Sequence, residues 1–328
     1  MTRRLGISVE TWPIAGSFTI ARGSRTEAVV VVVILEEDGR RGRGECVPYT
    51  RYGETVESVC RQIESARAAV TEGCDRRTLL GVLPPGAARN ALDCAIWDLE
   101  AKLSGVPAHV LAGIDRMAPV TTAYTISLGA PLEMAEAARR AEDRPVLKIK
   151  LGGGIDDRLR LKAVRDAVPD AALLVDANEG WSPDDVADRL SECADCGVLL
   201  VEQPLPAGRD AALAEIARPL PICADESVHV GGDLSGLLGR YDAVNVKLDK
   251  TGGLTEALAT AAEAERLGLA VMVGCMVGTS LAMAPAMLLA SKARFVDLDG
   301  PLLLAGDREH GLRYSGGAVF PPSPALWG

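Results

Sequence analysis

Positive charge is what this 328-residue chain has little of: 35 lysines and arginines stand against 45 aspartates and glutamates, giving a formal charge of -10 and a pI near 5.0. A nucleic-acid groove or a face for an anionic membrane needs the opposite balance, so a small-molecule partner is favoured, with no nucleic acid and no membrane. The opening MTRRLGISVETWPIAG lacks the apolar stretch of a secretory signal, which makes the cytoplasm the expected location. Residues 267–290 carry no formal charge, but Gly274, Gly278, Thr279, Ser280 and Pro285 interrupt them, and strand, turn and helix fit better than a membrane span. The Cys193-Ala194-Asp195-Cys196 spacing has no second such pair and no neighbouring histidine to complete a zinc site. A chain this long stabilises a core without disulfides, so the eight cysteines read as reduced.

What is present is a globular composition, 48% hydrophobic and 24% charged, with room for one large domain and a smaller one. From about Val120 onward, short strand candidates recur: VTTAYTI, VLKIKL, LLVDAN, LLVEQP, PICADE, AVNVKL, AVMVGC and FVDLDG. Segments of helical spacing lie between them, such as LEMAEAARRAEDR, DRLRLKAVRDAV and LTEALATAAEAERLG. This alternation predicts parallel β/α units, and eight strands predict closure into a barrel. The first hundred residues differ. The run Ala28–Leu35, the turn EEDG and RGRGEC predict a hairpin, followed by helices near 55–69 and 87–103, an α+β domain. The tail RYSGGAVFPPSPALWG has few helix signals and reads as an irregular segment returning to that domain. The expected organisation is 1–115, an N-terminal α+β domain; 116–305, the barrel; and 306–328, the returning segment.

Polar residues cluster at the C-terminal ends of the barrel strands, where this architecture carries its active site. In Leu147-Lys148-Ile149-Lys150-Leu151 the period of two places both lysines on one face and the aliphatics on the other. The same alternation pairs Asp176 with Asn178, Lys247 with Asp249, and Asp297 with Asp299.

The ordered set KxK, DAN, EQP, DES and a lysine before KTGG resembles the muconate-lactonizing-enzyme subgroup of the enolase superfamily over nearly the whole chain. Within it, DLD on the last strand, GCMVGTS before it, and ARGSR and GECVPYTRYGET near the N-terminus resemble the L-Ala-D/L-Glu epimerases. The resemblance implies a (β/α)7β barrel with an N-terminal α+β capping domain completed by the C-terminal segment. It implies an isomerase that moves a proton at a carbon beside a carboxylate, with Mg2+ and lysine bases.

The residues supply reasons for that chemistry. Asp176, Glu202 and Asp225 on successive strands would repel one another without a cation, and an oxygen-only ligand set selects one Mg2+, or Mn2+, over zinc. Lys150 on the second strand and Lys247 on the sixth lie across the barrel, so each can face one side of an α-carbon, as inversion requires. Lys148, two residues from Lys150 on the same face, is expected to lower its pKa by like-charge repulsion. Lys250 has the wrong parity for that role, and Asn178, Asp249 and Glu226 are candidates to orient ligands or lysines. Asp297 and Asp299 suit a cation, which the resemblance makes the α-ammonium of an N-terminal alanine. Arg22 or Arg25 would bind the glutamate side chain through a guanidinium fork, and Tyr49, Arg51 and Tyr52 belong to a second capping loop.

The reading is a Mg2+-dependent epimerase of L-Ala-D/L-Glu-type dipeptides in murein-peptide metabolism, with a homo-oligomer compatible. Its nearest alternatives are another dipeptide epimerase, an N-acylamino acid racemase or an o-succinylbenzoate synthase; neither of the latter two offers an ammonium to Asp297 and Asp299. A lysine Schiff-base barrel leaves the three acids unexplained. A non-catalytic binding protein leaves both lysines unexplained.

Overall fold

The computed structural model describes residues 3–152 and 154–328; the first two residues of the N-terminal stretch and Gly153 lie outside the described residues. Strands β1 (Arg4–Ile20), β2 (Gly23–Glu37) and β3 (Arg40–Cys46) form an antiparallel sheet. The β2–β3 turn is tight because Asp38 and Gly39 both have positive φ, 50° and 73°. β2 is an unbroken run of valines because both its faces are buried. Val31, Val33 and Leu35 pack into the core of the capping domain, while Val30 and Val32 join the large core that runs through the barrel. β1 gives little sequence signal, since only Leu5 and Ile14 of it are buried.

Five helices follow: α1 (Val56–Ser65), α2 (Arg67–Thr71), α3 (Arg76–Val82), α4 (Ala87–Ser104) and α5 (Ala108–Leu111). Thr55 and Ser58 exchange the reciprocal bonds of a capping box, which starts α1. α4 is buried along most of its length and packs so closely on β3 that RGRGEC needs its two glycines. A Cβ on Gly44 would lie 2.1 Å from Ala91 O, and one on Gly42 would lie 2.3 Å from Ala95 O. Both obstacles are backbone, so Gly44→Ala is expected to destabilise the protein by about 3 kcal/mol. The readout is the urea midpoint of unfolding, and an unchanged midpoint would contradict this close approach.

The barrel strands are β5 (Tyr124–Ile126), β6 (Val146–Lys150), β7 (Ala172–Asp176), β8 (Val198–Glu202), β9 (Ile222–Ala224), β10 (Ala243–Val246), β11 (Ala270–Val273) and β12 (Phe295–Val296). They form one eight-stranded parallel sheet in sequential order. The seam between the first and last strands is bridged by Ala123 N–H to Val296 O at 2.8 Å. Outside lie α6 (Pro131–Arg140), α7 (Asp157–Ala167), α8 (Val186–Asp195), α10 (Leu254–Arg266) and α11 (Ser280–Ala290), while the single turn α9 (Leu248–Thr251) is buried against α4 of the capping domain. Residues 211–214 and 231–237 form 3-10 turns where β8 and β9 connect onward. Outward aliphatics such as Ile149, Val175 and Val201 pack on the helices, while inward Leu174, Leu200, Cys223 and Met272 form a separate apolar plug. Two residues further along β7 and β8 the inward positions become charged, Asp176 and Glu202. The plug therefore supports the floor of a polar layer.

The tail reaches back to the first domain. β13 (Tyr314–Ser315) pairs with β14 (Ala318–Val319), which pairs in turn with β4 (Val120–Thr121). Trp327 Nε1 then donates to Cys94 O at 2.9 Å, and Gly328 N to Asp98 Oδ1 at 2.7 Å. Two expected strands are shorter than their sequences suggest. VTTAYTI divides between β4 and β5, because Thr122 and Ala123 turn to bridge the seam, and FVDLDG is extended only at Phe295 and Val296. All eight cysteines are free. Among the described residues no helix is long and apolar enough to cross a membrane; residues 270–273 and 280–290 of the uncharged stretch are strand and helix.

Candidate active site

Lys148 and Lys150 on β6, Asp176 at the end of β7 and Glu202 at the end of β8 all face the barrel interior. Asp225, Lys247 and Asp297 stand one residue past β9, β10 and β12. All seven are buried. Lys148, Lys150, Asp225, Lys247 and Asp297 line a cleft roofed by Phe18, Arg22 and Arg25 from the β1–β2 hairpin and by Tyr49 and Tyr52 from the loop after β3, with Asp176 and Glu202 behind this lining, ion-paired to Lys150 and Lys148. Of the residues expected from the sequence, Arg22, Arg25, Lys148, Lys150, Asp225, Lys247, Asp297 and Asp299 line this cleft, and Asp176 and Glu202 adjoin it through their ion pairs with the lysines. β6 and β10 are four strands apart in the sheet, so Lys150 and Lys247 enter from opposite walls.

The charges interleave. Lys150 Nζ donates to Asp176 Oδ2 at 2.6 Å and Lys247 Nζ to Asp225 Oδ2 at 2.7 Å. Lys148 Nζ lies 3.2 Å from Asp176, 2.7 Å from Glu202 Oε2 and 2.7 Å from Asp297. Burial by itself would raise Asp176 and Asp225, but Lys150 and Lys148 hold the first below the carboxylate range, and Lys247 and Lys250 hold the second well below it. Burial would likewise lower Lys148 and Lys247, yet their carboxylate partners hold both well above the usual lysine value. This changes the expected role of Lys148. Its charge is compensated by three carboxylates, so its repulsion of Lys150 is offset.

Among the described residues no three acid, histidine or cysteine side chains are gathered at metal-ligating distance, since ammonium groups stand among the acids. The donor set nonetheless fits a hard divalent cation. It consists of carboxylate oxygens, and Glu202 Oε2 is buried and, despite its ion pair, outside hydrogen-bond geometry. Burial, and then the charge of Asp176, push Glu202 up to about 7.

Asp297 and Asp299 share the cleft although the strand parity that predicted this ends at Val296; Asp299 instead opens a 3-10 turn, residues 300–303. Its Oδ2 accepts Thr125 N–H at 2.7 Å, and burial and Asp297 raise its pKa to about 7. Asp297 Oδ1 is buried with no hydrogen-bond partner among the described residues. A pair of this kind favours a cation.

The two arginines are not equivalent. Arg22 donates to Asn178 O (3.0 Å), Glu179 Oε2 (3.1 Å), Tyr49 OH (3.3 Å) and Glu226 Oε1 (2.7 Å). Arg51 closes the same latch with two bonds to Glu179, at 2.7 and 2.8 Å. Arg25 lies against the Tyr49 ring, 5.3 Å from its centroid.

Residues 3–113 match the family model for the mandelate racemase/muconate lactonizing enzyme N-terminal domain, and residues 133–323 match the enolase C-terminal domain-like model. The chain belongs to the mandelate racemase/muconate lactonizing enzyme family. Within the family it is 50% identical to the L-Ala-D/L-Glu epimerase of Escherichia coli (strain K12), across 97% of this chain and 99% of that protein. It is 44% identical to the N-acetyl-D-glutamate racemase of a Pseudoalteromonas species, across 91% and 95%. Among solved structures it is similar to an enolase family member of Agrobacterium tumefaciens with homology to dipeptide epimerases, which holds sodium and L-Ala-L-Glu with an ordered loop. The TM-score is 0.98, with 55% identity over 99% of this chain and 100% of that one.

Two residues, Gln203 and Asn245, had no role expected from the sequence, and Lys250, set aside there by parity, gains one. Gln203, Asn245 and Lys250 are buried and bonded to the acids or to their backbone. The Gln of EQP and the lysine of KTGG were visible as motif letters; the contacts that give them a task were not. Of the expected orienting residues, Asn178 N–H does reach Asp176 Oδ1 at 2.9 Å, and Glu226 holds Arg22. Asp249 instead turns toward the capping domain, accepting from Val47 N–H and Asn90 Nδ2, because residues 248–251 are helical rather than extended.

Proposed function

We propose that this chain is a dipeptide epimerase that inverts the C-terminal residue of L-Ala-D/L-Glu-type substrates by two-base proton transfer. The observation that carries this reading is Lys150 and Lys247 entering the cleft from opposite walls with carboxylates between them. Asp176, Glu202 and Asp225 would hold Mg2+, which supplies positive charge against the dianion that develops when a proton leaves a carbon beside a carboxylate. One lysine, as the neutral amine, takes the α-proton, and the electron pair left behind delocalises into the carboxylate. The other lysine, as the ammonium, returns a proton to the opposite face. The reverse reaction exchanges their roles.

Asp297 and Asp299 receive the N-terminal ammonium, which fixes the direction of the dipeptide in the cleft. The glutamate side chain falls to Arg22 and Arg25. Arg22 already grips two carboxylates, so a substrate carboxylate would exchange with Glu226, while Arg25 has no ion pair among the described residues. Turnover of murein peptides in the cytoplasm is the setting we propose for such an epimerase. A second reading, racemisation of an N-acylated glutamate, is favoured by the Pseudoalteromonas relative; the aspartate pair argues against it, because an N-acyl group offers no cation.

The test is a panel of L-Ala-X dipeptides and N-acetylglutamate incubated with protein and Mg2+ in D2O, following the α-proton signal by NMR. Loss of that signal at the C-terminal residue, strongest for the glutamate dipeptides and abolished by chelation, is the expected result. No exchange with any glutamate dipeptide would sink the proposed substrate.

A further inference from the structure

Lys250 follows Lys247 by three residues, in the single turn α9, and this turn sends the two ammonium groups in different directions. Lys247 lines the cleft and Lys250 does not. Lys250 is 2% exposed and donates to Asp225 O at 2.6 Å, Asp225 Oδ1 at 2.6 Å and Asn245 O at 2.9 Å. An ammonium has three N–H donors, so this one is saturated by protein oxygens and is not placed to exchange a proton with a ligand.

Asp225 is held from another side by Gln203. Gln203 Oε1 accepts Asp225 N–H at 2.8 Å and Ser227 N–H at 3.1 Å, and its Nε2 donates to Leu205 O, Ser227 Oγ and Tyr241 OH. With the backbone N–H, the backbone carbonyl and Oδ1 of Asp225 all engaged, Oδ2 is the atom turned to the cleft, where it meets Lys247. Asn245, whose carbonyl accepts from Lys250, sends its own Nδ2 to Glu202 Oε1 at 2.8 Å. The Asn245 side chain has little freedom, because Gly274 is so close that a Cβ there would lie 2.5 Å from Asn245 Oδ1. One buried ammonium therefore ties together the supports of two of the three acids.

We infer that Lys250 is a positioning residue for the cation site, setting the orientation of the Asp225 carboxylate directly and that of Glu202 through Asn245. This rests on the reading that Asp176, Glu202 and Asp225 hold a divalent ion. It has a consequence of opposite sign to simple electrostatics. Removing a buried positive charge beside a cation site should tighten cation binding by Coulomb's law, whereas releasing two ligands from their orientation should weaken it, by about 10- to 100-fold for a supporting residue.

The experiment is Mn2+ binding to the metal-stripped protein, read from the free-Mn2+ electron paramagnetic resonance signal without substrate. Lys250→Met is expected to bind Mn2+ about tenfold or more weakly than wild type. Unchanged or tighter binding by Lys250→Met, with wild type binding normally, would overturn the positioning role alone. Absence of Mn2+ binding by the wild-type protein would remove the cation reading and this role with it. Lys250→Gln removes the same charge but keeps a donor, and carries the comparison if Lys250→Met does not fold. Asn245→Ser, which cuts only the link to Glu202, should show a smaller weakening in the same direction; equal affinity there would delete the Glu202 arm.

Discussion

Lys150→Met and Lys247→Met are each expected to end epimerisation, by about 10²- to 10⁴-fold for the loss of a positioned acid or base, while leaving α-proton exchange in one diastereomer only. In D2O, with L-Ala-L-Glu and L-Ala-D-Glu supplied separately, one variant should wash deuterium into the L,L substrate and the other into the L,D substrate, each with retention. Methionine conserves much of the lysine stem, and the structure provides for the loss of charge. Asp176 keeps Lys148 as a partner when Lys150 is removed, and Asp225 keeps Lys250 when Lys247 is removed. Neither variant leaves an acid without an ammonium, so folding should survive. Full turnover in either variant, or exchange of the same diastereomer by both, would end the two-base mechanism.

Asp299→Asn is expected to lower kcat/KM for L-Ala-L-Glu by about 30-fold or more, the lower end of what truncating one partner of a buried charge pair costs. Any turnover of N-acetylglutamate should be unchanged. Asparagine keeps an oxygen for the Thr125 N–H bond and removes only the charge. Asp299 is a cleaner choice than Asp297, whose carboxylate also partners Lys148. Burial and Asp297 raise Asp299 to about 7, so below that pH the free protein carries it protonated and its attraction for an ammonium is lost. In wild type the ratio of dipeptide to N-acetylglutamate turnover should therefore climb as pH rises through about 7, and in Asp299→Asn that climb should flatten. An equal loss on both substrates would mean that Asp299 supports the fold of the cleft rather than the ammonium.

Much of the site was legible because a strand alternates with a period of two. Lys148 and Lys150 had to share a face whatever the strand packed against, and Leu147, Ile149 and Leu151 had to share the other. The acids of DAN, EQP and DES were readable because parallel β/α units place strand ends side by side in chain order. Where the chain leaves its strand, that reasoning loses its footing. Asp249 and Lys250 were assigned by parity to a strand, but residues 248–251 are a helical turn, which carries Asp249 to the capping domain and Lys250 behind Asp225. Asp297 and Asp299 reached the expected place by another route, a strand end followed by a 3-10 turn.

The sequence by itself determined the eight barrel strands, the order of lysines and acids around the ring, and the side of each strand that carries them, since these follow from local periodicity and chain order. Only the tertiary structure decided who partners whom. Lys148 lies among Asp176, Glu202 and Asp297 because barrel closure brings the end of the last strand within reach of the second, across 149 residues of chain. Arg22 is latched to Glu226 because the capping domain folds over the rim. Lys250 becomes part of the site because one helical turn points it at a carboxylate 25 positions earlier in the chain. Such pairings depend on distances between strands and domains, which no local pattern of residues encodes.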